Sequence, residues 1–505
     1  MPAAAPRAHP PVTLDGSRLT PAGVAAIARD GAAVRLTPAA RARNDRARAA
    51  IASLLARGEE LYGVTTGVGA LRSLRVGEHD RDAYSLNLLR SHAGGAGSPL
   101  TVPVVRAAMA TRANQIGAGG AGVASELLDA LVGALNAGLT PFTRELGSLG
   151  TGDLTNLAEV GLALLGEGRL WRGDDLIDAA AGLADAGLEP GRLGPRDGLA
   201  FMSSNAFSIG QAALLVVDAR RVLDAWLSVA ALSFEAVAAD PIVLDVRLHS
   251  PLHRPGQASV AARMRELLDG LQRTARRPGP LGVQDPYPFR AQPQVDGAVH
   301  DALRALEETV SHELNFSGEN ALIVASDGVA LPNGNPHAAP LANAVDALRT
   351  ALASSAALIA ARVSALLDSG LTGLPPFLAR DPGPESGALV LEYTAHAAAA
   401  EVRSLVTPVA AQSVSVARGV ESHSSLAPIA VRRAHETLRA LRVVIAVELV
   451  TAVRALRLAG RRPTAAGTRR LWDVACERLD EDLSDRPLHP DVEAARALVE
   501  SWTPG

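Results

Sequence analysis

Residues 206–239 read AFSIGQAALLVVDARRVLDAWLSVAALSFEAVAA. The stretch is long, apolar and free of proline, so it predicts one unbroken helix. Its apolar positions spread well beyond a single stripe, and a helix apolar nearly all round is buried on most sides. Asn343–Leu367 and Ala430–Ala459 have the same character. Helices of this length are unusual in a globular domain. Three of them side by side predict the core of a bundle, extended by neighbouring subunits.

Working outward, residues 1–60 predict a small mixed α/β start. PVTLDG and AAVRLT suit short strands, and AARARNDRARAAIASLLARG suits a helix. The expected organisation is an N-terminal domain over 1–205, a long-helix bundle over 206–460 and a helical cap over 461–505. The fold class is therefore all-α dominated, with a long central helical bundle. Composition agrees. Aromatics are only 3% of the chain, so the core is built from Ala, Leu and Val, small side chains that favour close-packed helices.

The chain has 505 residues, a net charge of -4 and no lysine. That charge gives no reason to expect nucleic acid or an anionic membrane as partner. Cys476 is the one cysteine, so an internal disulfide and a Cys-based zinc site are excluded. It reads as a packing residue. No His/Asp/Glu cluster has ligand spacing, so no metal is expected. The stretch MPAAAPRAHPPVTLDG lacks a signal-peptide core, and the apolar runs meet Arg, Asp or Glu before a bilayer is spanned. The expectation is a soluble, cytoplasmic protein.

Dense Gly/Pro/polar segments lie between the helices, at 62–72, 91–101, 147–153, 278–297, 315–340, 370–387 and 407–428. Loops on a rigid scaffold are where functional groups collect. YGVTTGVG, from Tyr62 to Gly69, carries one phenol on a glycine-rich loop. A phenol serves as a base only when its pKa is brought down from about 10. VQDPYPFRAQPQVDG, from Val283 to Gly297, offers Gln284, Tyr287 and Arg290 among prolines, and Arg290 suits a carboxylate. SHAGGAG presents His92, and VESHSS presents Glu421 and His423. GSLGTGDL, residues 147–154, places three glycines in six positions at the mouth of a helix, TNLAEVGLALLGEG. Read locally, Thr151 or Asp153 caps that helix.

Together these loops resemble the aromatic amino acid ammonia-lyase family: histidine, phenylalanine and tyrosine ammonia-lyases and the related aminomutases. YGVTTGVG is similar to the family's Y-G-[IV]-N-T-G-F-G. NLLRSHAGGAGSPL resembles the histidine-type NL…SHAxGxG-PL, and LGPRDGLAFMSSNA resembles L-x-x-K-E-G-L-A-L-I-N-G-T. VQDPYPFRAQPQVDGAV is a near-verbatim family signature, and NPHAAPLA resembles N-F-H-G-x-P-x-A. The likeness runs from about residue 20 to 460. It implies the histidine ammonia-lyase type of bundle and a homotetramer whose active sites draw on three subunits. It also implies that Tyr62 takes the Cβ proton, Arg290 holds the carboxylate, and Tyr287 and Gln284 organise the site. His92 and Glu421 stand where histidine-type members address the imidazole. Asn335 and Ser203 fall at substrate-binding positions.

The departures bear on chemistry. The family's G-S-x-G-A-S-G-D-L yields, from Ala-Ser-Gly, an electrophilic methylidene-imidazolone. Here the segment is one residue shorter, and the tripeptide is Gly150-Thr151-Gly152. The family's Asn in L-I-N-G-T is Ser203, the Asn of the tyrosine loop is Thr65, and the Phe of N-F-H is Pro336. An ordinary unmodified turn is expected, with no cofactor; an imidazolone derived from Thr151 is the alternative. A quaternary amine needs no electrophile, since it has no lone pair to attack one and leaves as a neutral amine. The expected reaction is therefore β-elimination of an amine from an imidazole-type amino acid or its betaine. The ergothionase branch of the family works in this way, and the resemblance to it is one of chemistry rather than motif. Two alternatives stand beside it. One is an ammonia-lyase or aminomutase using a Thr151-derived group; the other is a non-catalytic binding homologue.

Overall fold

The computed structural model describes residues 9–249, 254–272 and 284–503. Residues 1–8 of the N-terminal stretch, and 278–283 of the proline-rich segment including Val283, lie outside the described residues.

The mixed start forms as expected. Val12–Leu14 pairs in parallel with Val34–Leu36, and the helix Pro21–Arg29 makes the crossover. Helix Pro38–Ala56 follows. Both helices begin with proline after a threonine whose hydroxyl accepts a backbone N–H, from Gly23 and from Ala40. Proline costs nothing in the first turn, and the threonine satisfies one of its orphan donors.

The long helices are Ala206–Val237, Gln292–Leu314, Ala339–Leu367 and Ala427–Leu458. Two of them, 206–237 and 339–367, are apolar enough to cross a bilayer but are buried core helices. The tail carries helices Ala466–Arg478 and His489–Ser501. One expectation is corrected here. Residues 283–297 are not all loop: Tyr287–Arg290 is a single helical turn, and a long helix begins at Gln292. Pro288 and Pro293 each fall in the opening turn of a helix, where they start it rather than break it.

The chain forms two compact units. The first comprises residues up to 217, 306–345 and 408–431; the second comprises 218–305, 346–407 and residues from 432 on. The first unit holds the small sheets, including the antiparallel trio Leu139–Pro141, Arg169–Arg172 and Asp175–Asp178. In its interior Arg112 meets Glu319 at 2.8 Å and donates from Nε to the carbonyl of Phe201 at 2.9 Å. A buried charge of this kind persists only when paired and hydrogen-bonded. The second unit has its own buried pair, with Arg362 Nε and Nη2 at 2.6 and 3.0 Å from Glu448.

Candidate active site

The 147–154 loop is held on every side. Gly150 has φ +80°, and a Cβ there would fall 2.1 Å from Ser425 Oγ and 3.0 Å from the Ala427 nitrogen, so only glycine fits. Its carbonyl accepts the Ser425 hydroxyl at 2.8 Å and the Ala338 N–H at 3.1 Å. The Thr151 hydroxyl donates to Glu421 Oε2 at 2.9 Å. The Gly152 N–H donates to Asn205 Oδ1 at 3.0 Å, and the Asn205 amide donates onward to the Pro336 carbonyl at 2.6 Å.

The expected cap is corrected. Asp153 stands at the N-cap of helix Leu154–Leu164 but makes no side-chain cap bond there. Its carboxylate instead accepts the Ser208 N–H at 2.7 Å, capping the first turn of the 206–237 helix, and also the Ser148 hydroxyl at 2.6 Å. Burial pushes this carboxyl above the usual range, and the hydroxyl and amide donors pull it back. Thr151 turns away to Glu421. Asp153 thus ties the loop to the bundle, a role invisible from its neighbours in sequence.

The tyrosine loop lies on the helix that ends at Ser203. A Cβ at Gly63 would come within 2.2 Å of Leu199 Cδ2, on helix Asp197–Met202. Leu61 and Val64 bury the loop's root beside Ile51 and Leu54. The Thr65 hydroxyl accepts the Leu61 N–H at 2.8 Å, and the Tyr62 oxygen accepts the Gly69 N–H at 2.8 Å. The turn Gly69–Leu71 packs on Ala417–Gly419, just ahead of Glu421. Ser203 is buried, and the carbonyl of the next residue, Ser204, accepts the Asp153 N–H at 2.6 Å. Packing and hydrogen bonds thus link the segments that carry Tyr62, Thr151, Ser203, Asn205 and Glu421.

His92 closes helix Arg81–His92. Its Nδ1 lies 2.8 Å from the Leu88 carbonyl. A carbonyl only accepts, so Nδ1 is the donor in this contact. Among the described residues no hydrogen bond joins His92 to Glu421. Beside Glu421, His423 Nδ1 meets His337 Nε2 at 2.9 Å. Asn335 is exposed, its N–H donating to Asn333 Oδ1 at 2.8 Å.

Gln284, Tyr287 and Arg290 belong to the second unit. Phe289 is buried edge-on against Phe234, with ring centroids 5.4 Å apart, and anchors the turn. Gln284 and Tyr287 are exposed. The Arg290 guanidinium sits 4.7 Å from the Tyr287 ring centre, and its Nε is buried with no partner. A guanidinium with an unmatched donor beside a phenol is a ready carboxylate anchor. Among the described residues no three His, Cys, Asp or Glu side chains are grouped to hold a metal.

The first unit carries the Tyr62 phenol and the Glu421 carboxylate on its loops, and the second carries the Arg290 guanidinium on a helical turn. The sequence pattern of the aromatic amino acid lyase family matches residues 19–477, and the chain belongs to that family. Histidine ammonia-lyase of Symbiobacterium thermophilum is 35% identical over 96% of both chains. Among solved structures, ergothionase of Treponema denticola, an ergothioneine-degrading enzyme solved with desmethyl-ergothioneine sulfonic acid, is similar with a TM-score of 0.92. Its identity is 27%, over 97% of this chain and 98% of that one. Histidine ammonia-lyase of Trypanosoma cruzi is similar with a TM-score of 0.88 and 29% identity, over 97% and 93%.

Proposed function

We propose that this lyase eliminates a quaternary amine from a betaine of histidine, with or without sulfur on the ring, and does so without a methylidene-imidazolone. The observation that carries the reading is the Gly150-Thr151-Gly152 loop. Forming the imidazolone joins the Gly152 nitrogen to the Gly150 carbonyl carbon and removes the central hydroxyl. All three groups are engaged elsewhere, with Asn205, with Ser425 and Ala338, and with Glu421. The family's alanine has no room at Gly150. These residues suit an unmodified loop. The likeness to ergothionase, whose bound ligand is a relative of a betaine substrate, supports the same reading.

In the proposed reaction the Tyr62 phenolate takes a proton from Cβ. The C–H pair becomes the Cα–Cβ double bond, and the C–N pair leaves with trimethylamine. The products are a urocanate-type acrylate and a neutral amine, so the leaving group needs no proton. Arg290 holds the carboxylate, Tyr287 and Gln284 steady it, and Glu421 and His92 address the imidazole. By the family resemblance the proposed enzyme is a homotetramer with active sites shared between subunits. Small side chains at Val68, Ser203 and Pro336 leave room for the trimethylammonium head. The test is trimethylamine release from histidine betaines and from free histidine, with Tyr62→Phe as control. Release from betaines that Tyr62→Phe abolishes supports the reading; ammonia from free histidine with inert betaines overturns it.

A further inference from the structure

Backbone anchors on both sides fix where the Thr151 hydroxyl can point. Gly150, at φ +80°, is tied through its carbonyl to Ser425 and Ala338, and Gly152, at φ +106°, is tied through its N–H to Asn205. Thr151 stands between them, and a β-branched side chain on a fixed backbone has few rotamers open to it. Its hydroxyl meets Glu421 Oε2 at 2.9 Å. Glu421 is held at its own backbone as well, where its carbonyl accepts the Val416 N–H at 2.9 Å. Among the described residues Glu421 makes no ion pair, and its second oxygen, Oε1, has no hydrogen-bond partner.

We propose that Thr151 is a positioning residue for ring recognition: its hydroxyl locks the Glu421 carboxylate through one oxygen and leaves the other to accept a ring N–H of the substrate. The proposal rests on the assignment of Glu421 to the imidazole. A glutamate side chain loses much rotamer freedom when it is ordered. Here the loop orders it during folding, before substrate arrives, and preorganisation of this kind strengthens binding. A carboxylate with one oxygen taken also suits a single N–H donor such as an imidazole, whereas the fork of a guanidinium uses both oxygens. The locking group is neutral, so it does not cancel the negative charge that draws the ring. The hydroxyl that cyclisation to an imidazolone would eliminate thus has a use in the unmodified loop, and Thr151 serves the ring rather than the leaving amine.

The test measures binding without turnover, by calorimetry on the purified full-length protein. Imidazolepropionate carries the ring and the carboxylate but no amine, and phenylpropionate replaces the ring by one with no N–H. Thr151→Val keeps the branched shape and removes the hydroxyl; Thr151→Ala removes it with less bulk. Both variants are expected to bind imidazolepropionate about tenfold more weakly than wild type, with the same melting temperature and the same affinity for phenylpropionate. Unchanged affinity for imidazolepropionate overturns the proposal, as does a parallel loss for both probes, which marks a loop that has lost its shape. A wild type that does not bind imidazolepropionate, or whose intact mass shows the Thr151 hydroxyl gone, overturns it too. Neither probe has an amine to lose. A failed betaine assay beside the expected binding result therefore rejects the leaving group and keeps the Thr151–Glu421 lock.

Discussion

Replacing Asp296 by asparagine is expected to stabilise the protein at pH 8 far more than at pH 5. Asp296 lies on the 292–314 helix, fully buried in the second unit. The Ser355 hydroxyl donates to its Oδ1 at 3.0 Å, while its Oδ2 has no partner. One turn earlier Gln292 Oε1 also lacks a partner. Two orphan acceptors a turn apart suit a protonated acid, which turns one of them into a donor. Burial pushes this carboxyl from 3.8 up to about 7; Arg362 and hydrogen bonds pull it down, and Glu448 adds to the rise. The folded value exceeds the unfolded one, so stability is complete below pH 4 and falls as pH climbs toward 7. Above that it levels off, because both states are then ionised. The whole window is worth about 4 kcal/mol, and the part between pH 5 and 8 about 2.5 kcal/mol. Asparagine does not titrate. It keeps an oxygen for Ser355 and offers an N–H to Gln292. The melting temperature of Asp296→Asn minus that of wild type should therefore grow by about 2.5 °C between pH 5 and 8, for a chain of this size unfolding as one. The difference cancels every other titrating group. A gap that stays constant with pH refutes the reasoning.

Three further outcomes follow from the same geometry. Gly150→Ala is expected to cost about 2–3 kcal/mol, from positive φ and the displaced Ser425 bond, read as a lowered melting temperature. Arg112→Met strands Glu319 and is expected to cost about 3–5 kcal/mol, with Arg112→Met/Glu319→Leu recovering most of it; thermal melts of both variants check this. Arg290→Met removes the carboxylate anchor and should lower kcat/KM about 30- to 150-fold with little change in melting temperature.

The bundle was legible because its helices are long and apolar over several turns. Of the short strands, Val12–Leu14 and Val34–Leu36 were expected, while Leu139–Pro141, Arg169–Arg172 and Asp175–Asp178 were not, since three or four residues show little period. The start of the 292–314 helix was hidden by Pro293, which reads as a breaker yet sits in a first turn. Tyr62, His92, Glu421 and Arg290 stood out as chemistry in Gly/Pro/polar segments, and their proposed roles come from the family resemblance. The contact of Thr151 with Glu421 was not, because it joins residues 270 apart. Asp153 was misread for the same reason: an acid before a helix looks like its cap, and only the fold shows that it caps another helix. Asn205, Ser425 and the His337–His423 pair leave no local signal that they meet.

The proposed reaction needs the Gly150-Thr151-Gly152 loop to be unmodified. The most direct test is the intact mass of the purified full-length protein, with a peptide map over residues 144–169. The expected mass is that of the plain sequence. A loss of two waters localised to Gly150-Thr151-Gly152 contradicts it and puts the enzyme among lyases that build an electrophile from their own backbone.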